Sequence, residues 1–150
     1  MATTRDSALY TKLHVNKYLG DARDRGGRVV QIPFEHTTVS GETGGASAGV
    51  QDLVDLCVLP ANCEVIGMIY AGGAFAASAG VGCTLEIGDS GDADRYASID
   101  ADVASVLGTL LSTGLRYRPT ADTIVTGRWS VADPIVAITF KGCFLVVPGA

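Results

Sequence analysis

The sequence has little charge and few aromatic side chains. Charged residues make up 18% of its 150 residues and aromatic residues 7%, whereas a typical soluble domain is about 25% charged. This composition excludes a coiled coil and a disordered chain, which are both rich in charge. Glycine is abundant instead, with 19 residues, nearly double its usual share of about 7%. Together with a hydrophobic share of 47%, it favours an all-β domain with many turns, or one with extensive protein contacts.

Metal-binding motifs are also missing. The sequence has no C-x-x-C pair, and neither of its two histidines, His14 and His36, lies at ligand spacing from a cysteine. We therefore expect no metal and no cofactor, and we interpret every cysteine as a small, buried apolar residue with a free thiol. The cysteines are Cys57, Cys63, Cys83 and Cys143.

No targeting or membrane-spanning segment is evident. Residues 1–27 lack the apolar stretch of a signal peptide. Residues 65–85 carry no charge, but much of this stretch is Gly, Ala or Ser, and Glu64 and Glu86 flank it without any Lys or Arg. Spanning helices are richer in large apolar residues and have cationic flanks. We predict two strands joined by a loop here, and no membrane partner.

Charge is distributed unevenly along the chain. Residues 1–28 contain six basic and three acidic side chains, whereas residues 29–150 contain five basic and thirteen acidic ones. We predict a basic N-terminal arm and hinge (1–27) attached to an acidic body (28–150), with the arm docking on an acidic surface. The body would repel phosphate, so we expect no nucleic-acid partner. The predicted interface residues are Arg5, Lys12, Lys17, Arg23, Arg25 and Arg28.

Short apolar or β-branched runs separated by turn residues dominate the body. Pro33 in the first run predicts an edge strand or a bulge, and Leu85 and Ile87 are predicted to face inward. Residues 6–19 and 100–111 have the spacing of short helices. The pattern predicts a β-sandwich or jelly roll with an N-terminal arm and at most one or two short helices. The predicted strands are 28–34, 52–59, 63–70, 83–87, 114–118, 123–129 and 135–147.

One short motif has the sequence of a protease nucleophile. Gly88-Asp89-Ser90-Gly91 matches the tetrad around the serine of chymotrypsin-like proteases, and an enzyme would need His36 within hydrogen-bond reach of Ser90. However, Asp92 replaces the second glycine of that motif, and the chain is too short for two six-stranded barrels. A turn after a strand explains the same residues. We therefore predict no catalytic residues and no enzyme activity.

Two other residue groups each allow two interpretations. Asp89, Asp92 and Asp94 could hold a cation such as Ca²⁺, or form a solvated turn in which Arg95 neutralises part of the charge. The second group could form an exposed contact site, or occupy core and edge positions of a sheet. It consists of Arg116, Tyr117, Arg118 and Trp129.

Three strings in a fixed order resemble a known family. Residues 56–62 (LCVLPAN), 85–96 (LEIGDSGDADRY) and 117–123 (YRPTADT) resemble small structural proteins of tailed bacteriophages, described as head decoration or cement proteins. The resemblance covers about residues 50–147 and leaves the N-terminal arm outside it.

This resemblance implies a β-sandwich or jelly-roll body that binds the major capsid protein. It further implies a homo-oligomer, with a trimer favoured, that is made in the host cytoplasm and assembled on the exterior of the virion. The alternative function is a binding module of a head fibre or tail that contacts host glycans through its loops. Clustered exposed aromatic side chains would support that alternative.

Overall fold

The computed structural model describes residues 4–6, 29–37, 53–72, 84–100, 107–109, 113–130 and 139–149. These residues form strands and the turns between them, and none of them is helical. The strands are β1 (Thr4–Asp6), β2 (Val30–Thr37), β3 (Leu53–Leu59), β4 (Glu64–Gly72), β5 (Thr84–Asp89), β6 (Asp92–Asp100), β7 (Leu107–Thr109), β8 (Thr123–Ser130) and β9 (Thr139–Val147).

The strands form two sheets. One has five strands in the order β1-β3-β8-β5-β6, and the other has four in the order β2-β9-β4-β7. All pairs are antiparallel except β1 with β3, which is parallel. This architecture confirms the predicted all-β class and the β-sandwich or jelly-roll fold.

Strand β2 shows how the sequence pattern produces a sheet edge. Its side chains alternate, with Ile32, Phe34 and His36 buried and Gln31, Pro33 and Glu35 exposed. Within the described sheets it pairs with β9 alone. Proline has no N–H to donate to a second neighbour, so the edge position predicted from Pro33 is confirmed.

The core lies between the sheets and is lined by large aromatic side chains. Tyr96 of the five-stranded sheet meets Phe144 of the four-stranded sheet edge to face, with ring centroids 5.0 Å apart. Trp129 and Phe140 make a similar contact at 6.4 Å. Such pairs add to the free energy of burial because the positive ring edge meets a negative ring face.

Several predicted elements differ from the structure. The predicted strand 114–118 is wrong, because residues 113–116 form a turn. The predicted helix 100–111 is wrong at Leu107–Thr109, which form β7 and pair with Ile69–Ala71. Helical spacing there is overridden by pairing with the edge of β4, and Gly108 weakens the helical alternative. Strand β6 was not predicted, because its first four residues include three charged ones.

The cysteine predictions hold in part. Cys57 and Cys63 are buried free thiols, as predicted, whereas Cys143 is only half-buried. Cys143 lies on the outward side of β9, opposite Pro33 in the register, so its side chain does not enter the core. Residues 60–62 do not close a hairpin, because β3 and β4 belong to different sheets. Cys83 lies outside the described residues.

Most of the predicted N-terminal arm and the predicted helix 6–19 also lie outside the described residues. The exception is β1, which adds to the edge of the five-stranded sheet beside β3, with Arg5 opposite Val54. The boundary between arm and body stays a prediction. No helix in the described part of the chain is long and apolar enough to cross a membrane.

Candidate functional site

The three strings that carry the family resemblance meet at one end of the sandwich. The backbone N–H of Asn62 donates to the carbonyl oxygen of Pro119 at 2.7 Å, and that of Ala61 donates to Asp122 Oδ1 at 2.9 Å. Arg95 lies over the ring of Tyr117, with its guanidinium carbon 4.1 Å from the centroid. Segments far apart in sequence therefore form one structured surface. We call residues 60–64, 89–95 and 113–122 the loop end.

A buried carboxylate organises the β5–β6 hairpin of the loop end. The side chain of Asp89 is 3% exposed and accepts hydrogen bonds from Arg95 Nε at 2.7 Å and the Tyr96 hydroxyl at 3.1 Å. It also accepts bonds from the backbone N–H groups of Gly91 at 2.9 Å and Asp92 at 3.2 Å. These contacts bring donors from both the turn and β6 to a single carboxylate. Asp89 therefore fixes the shape of the hairpin.

The titration of Asp89 follows from the same contacts. Burial by itself raises the pKa of a carboxyl group, but the hydrogen bonds from Arg95, Gly91 and Tyr96 stabilise the charged form. The net result is a pKa of Asp89 below its ordinary value. Burial and the neighbouring Asp89 charge raise the pKa of Tyr96, so its hydroxyl keeps the proton that it donates.

The turn interpretation of the Gly88–Gly91 tetrad is confirmed. Ser90 and Gly91 form the two-residue turn between β5 and β6, and Ser90 is exposed. A Cβ atom at Gly88 would lie 2.2 Å from the backbone of Asp92 and Ala93, so the tight approach requires glycine. His36 lies on β2 of the other sheet and packs against the ring of Phe140.

The three clustered aspartates lie in different environments. Asp89 pairs with Arg95, as the alternative interpretation of the cluster predicted, but it is buried and not solvated, whereas Asp92 is half-buried and Asp94 is exposed. A hydrogen bond to Asp92, with a smaller effect of desolvation, raises the pKa of Asp94. Among the described residues, no group of three or more His, Cys, Asp or Glu side chains could hold a metal ion.

Residues 115–118 project from the loop end, and we call them the knob. Leu115 is 52% exposed, and Arg116 and Arg118 are exposed and form ion pairs with Glu64 at the start of β4. Hydrogen bonds from Arg118 lower the pKa of Glu64 despite a smaller opposing effect of desolvation. The backbone N–H of Arg116 donates to the carbonyl oxygen of Val65 at 2.7 Å. The knob is thus fixed to the four-stranded sheet.

The backbone of the knob is strained at one residue. Arg116 has a φ of 63°, in the left-handed region that non-glycine residues rarely adopt. Sparsely populated conformations of this kind persist where the surrounding structure imposes them, and they concentrate at functional surfaces. Here the strain accompanies the exposure of Leu115.

The group of Arg116, Tyr117, Arg118 and Trp129 does not lie in a single environment. Trp129 is 1% exposed and belongs to the core, so the core interpretation is confirmed for this residue. Arg116 and Arg118 are exposed, and Tyr117 is half-buried beneath Arg95. Leu115 and Glu64 were not singled out from the sequence. Leu115 lay in the predicted strand 114–118. The sequence does not indicate whether a single leucine in such a strand will be buried or exposed.

A groove lies on the outer face of the five-stranded sheet, beside the loop end. Its volume is about 730 Å³. Leu53 and Ile124 contribute apolar lining, and Ile124 is 41% exposed. The charged lining residues are Asp55, Asp89, Asp122 and Arg128, of which Arg128 forms an ion pair with Glu86 at 2.5 Å. Arg95 compensates the charge of Asp89 in the same way, so the groove combines an apolar floor with the carboxylates of the buried Asp55 and the exposed Asp122.

The structure describes one of the predicted interface residues of the arm. Arg5 lies in β1, where its backbone pairs with β3. The other five residues, Lys12, Lys17, Arg23, Arg25 and Arg28, lie outside the described residues.

Comparison with known proteins links the fold to phage capsids. No protein-family model matches the sequence, and no curated protein matches it significantly. The structure resembles a chain in the capsid of Ralstonia phage GP4, with a TM-score of 0.70 and 18% identity over 99% of both chains. A chain in the capsid asymmetric unit of cyanophage Pam1 gives a TM-score of 0.66 and 23% identity, covering 82% of this chain and 86% of that one.

A third structure is more distant. A chain in the acid-stable capsid of Helicobacter pylori bacteriophage KHP30 gives a TM-score of 0.55 and 12% identity, covering 83% of this chain and 92% of that one. At these identities the likeness shows a shared fold. By fold, the chain is like these chains of phage capsids.

Proposed function

We propose that this chain is a structural protein of a bacteriophage virion that binds the major capsid protein and reinforces its lattice. The observation that carries the proposal is the match to a chain of the Ralstonia phage GP4 capsid over 99% of both chains. The shared fold over this length supports a structural role for this chain as well.

The physical character of the chain supports a contact role. Within the described residues, no buried side-chain nitrogen or oxygen lacks a hydrogen-bond partner, so the polar groups inside the sandwich are satisfied by the chain itself. The loop end is held by backbone hydrogen bonds and ion pairs, while Leu115, Arg116 and Arg118 project outward. A preorganised surface loses little entropy on binding, as a cementing protein requires.

The finer parts of the proposal concern location and assembly. We place the chain on the exterior of the capsid, as a decoration or cement protein that assembles as a homotrimer after synthesis in the host cytoplasm. The net positive charge of residues 1–28 would let the arm bind an acidic neighbouring subunit. Repeated binding across a symmetric lattice would add avidity to each contact. The proposed role needs no catalytic group.

The glycan-binding alternative has less support. Sugar-binding surfaces commonly use exposed aromatic rings, but every aromatic side chain in the described residues is buried or half-buried. Trp129, the residue that most suggested such a surface, lies in the core. We therefore keep the capsid role as the single proposal.

The test is a cryo-EM reconstruction of purified particles of the phage that encodes this chain. We expect density for the chain on the outer surface of the head, in contact with the major capsid protein at local symmetry axes. Density confined to the tail or to a fibre would contradict the capsid role. Absence of the chain from the particle would contradict any virion role.

The arm is tested separately by a variant of the full chain with Lys12, Lys17, Arg23 and Arg25 changed to Gln. This variant keeps β1, which a deletion of residues 1–27 would remove. We expect a folded chain with reduced occupancy on particles, and the loss should be greatest at low salt, where charge contributes most. A matched control changes Lys141, exposed on β9, to Gln. Equal occupancy of the arm variant and the control would contradict the docking role of the arm.

A further inference from the structure

The knob presents an apolar side chain between cationic groups. Leu115 is 52% exposed, and the side chains of Arg116 and Arg118 are 81% and 67% exposed, even though both pair with Glu64. Two guanidinium groups and one carboxylate leave the knob with a net positive charge. Arginine is enriched at protein interfaces, so an exposed leucine beside two arginines, on a backbone fixed by hydrogen bonds, is suited to contact a partner.

The groove presents the complementary arrangement. Leu53 and Ile124 form an apolar floor, and three carboxylates and one guanidinium surround it, those of Asp55, Asp89, Asp122 and Arg128. Arg95 compensates the charge of Asp89, and Glu86 compensates that of Arg128, so Asp55 and Asp122 give the lining its formal net negative charge. Its volume of about 730 Å³ is sufficient to receive a leucine side chain together with the guanidinium groups beside it.

The knob and the groove belong to opposite sheets of the sandwich. The knob is bonded to β4 of the four-stranded sheet through Glu64 and Val65. The groove lies on the outer face of β3 and β8 of the five-stranded sheet, where Ile124, Thr126 and Arg128 point away from the buried Val125 and Trp129. The backbone bond from Arg116 to Val65 and the ion pairs with Glu64 hold the knob in place, so we argue that a contact between the knob and the groove joins different molecules.

We propose that the knob of one copy of this chain binds the groove of a second copy. Leu115 enters the apolar floor, and the arginines of the knob approach the acidic side of the groove at Asp122, which is exposed. Because each copy contributes a different surface, the contact is heterologous and joins copies head to tail. Residues 29–150 contain five basic and thirteen acidic side chains, and two of the five basic ones, Arg116 and Arg118, lie in the knob.

The experiment is sedimentation analysis of the purified full-length chain over a range of concentrations. We expect self-association that weakens as salt rises, because opposite charges contribute to the contact. Leu115→Asp in the knob and Ile124→Lys in the groove should each weaken association at least roughly tenfold, as expected for a central anchor residue. Both residues are exposed, so both variants should fold, which circular dichroism verifies.

A mixture of the two variants provides the decisive measurement. Leu115→Asp keeps an intact groove and Ile124→Lys keeps an intact knob, so one productive contact remains available between them. We expect the mixture to form 1:1 heterodimers that do not grow, while each variant alone stays monomeric. Ile69→Lys is the matched control, because Ile69 is 49% exposed on β4 and lies outside both surfaces. It should associate like the unmodified chain.

Three outcomes would overturn the proposal. The first is an unmodified chain that is monomeric at all concentrations, and the second is a pair of variants that associate as strongly as the Ile69→Lys control. The third is a mixture that remains monomeric, because a head-to-tail contact must be restored by complementary variants. None of these outcomes depends on where the chain lies in a virion, so the test is independent of the proposed function.

Discussion

Two neighbouring parts of the loop end distribute charge and apolar surface in opposite ways. In the β5–β6 hairpin a charged pair is withdrawn from solvent, with the Asp89 side chain 3% exposed and Arg95 18% exposed. In the knob, a few ångströms away across the contact of Arg95 with Tyr117, Leu115 is 52% exposed. A buried charge is unusual, and the exposed leucine stands out here because hydrogen bonds fix the backbone that carries it.

The two parts differ in whether other residues of the chain satisfy or cover the side chain in question. The buried carboxylate of Asp89 is satisfied within the hairpin by side-chain and backbone donors, so its role is explained by stability. Leu115 is fixed in an exposed position by a backbone that includes a positive φ at Arg116, and the described residues do not cover it. We infer that the hairpin maintains the fold, while the knob makes contacts with other molecules.

The largest expected effect is the loss of the Asp89 carboxylate. Asp89→Ala leaves the Arg95 guanidinium and the Tyr96 hydroxyl without their acceptor in a largely buried site. Breaking a buried ion pair from one side typically costs about 3–5 kcal/mol. We expect a decrease of about 3 kcal/mol in the free energy of unfolding, measured by urea denaturation. Asp94→Ala, in the same hairpin but exposed, is the matched control and should change it little.

A somewhat smaller effect is expected from Gly88→Ala. The added Cβ atom would lie 2.2 Å from the backbone of Ala93, so the hairpin itself must move. Overpacking of this kind typically costs about 1–3 kcal/mol. Gly67→Ala is the control, since its Cβ would meet the Cδ1 atom of Leu145 at 3.3 Å, a side-chain atom that can shift. Equal losses for the two variants in urea denaturation would argue against a special geometry at Gly88.

The two aspartates should also respond to pH in opposite directions. The folded-state pKa of Asp89 is lowered, so its stabilising contribution is present above its unfolded pKa of about 3.9 and is lost as pH falls through the folded value. The folded-state pKa of Asp94 is raised, so its ionisation opposes folding at neutral pH, and this penalty fades in acid.

The measurement is urea denaturation at a series of pH values. Asp89→Asn should flatten the acid limb of the stability profile. Asp94→Asn should raise stability slightly at neutral pH and have no effect in acid. Equal losses of stability in both variants at neutral pH would contradict the predicted opposite effects of the two carboxylates on the free energy of unfolding.

The smallest effect on stability is expected in the knob. Leu115→Asp should change the free energy of unfolding by no more than about 0.5 kcal/mol, as is usual for exposed positions. Leu85→Ala provides the contrast, because Leu85 is 1% exposed and truncating a buried leucine costs about 2–5 kcal/mol. A large loss of stability in Leu115→Asp would show that the knob is part of the fold rather than a contact surface.

Local patterns in the sequence were sufficient to predict several elements. The alternation through Leu85 and Ile87 predicted β5, and Pro33 predicted the edge position of β2. Gly88, Ser90 and Gly91 predicted the turn that follows β5. In each case the information lies within a few residues, in side-chain alternation, in a missing N–H or in a conformation that glycine adopts easily.

Elements that depend on distant partners were not predictable in this way. The start of β6 is rich in charge, and only the burial of Asp89 and its pairing with Arg95 make that segment compatible with a strand. Likewise, Leu107–Thr109 are a strand because β4 offers an unpaired edge. The change of sheet between β3 and β4 was not predictable either, since a short turn looks the same in sequence whether or not the strands pair.

The sequence by itself determined that the chain is all-β, with β2 at an edge and a tight turn after β5, because these features follow from local sterics and alternation. Only the tertiary structure decided that the three family-like strings would meet at one end, that Asp89 would be buried with Arg95, and that Leu115 would project outward. It also placed the knob and the groove on opposite sheets. Those features depend on contacts between residues far apart in sequence, and only the packing of the two sheets brings these residues together.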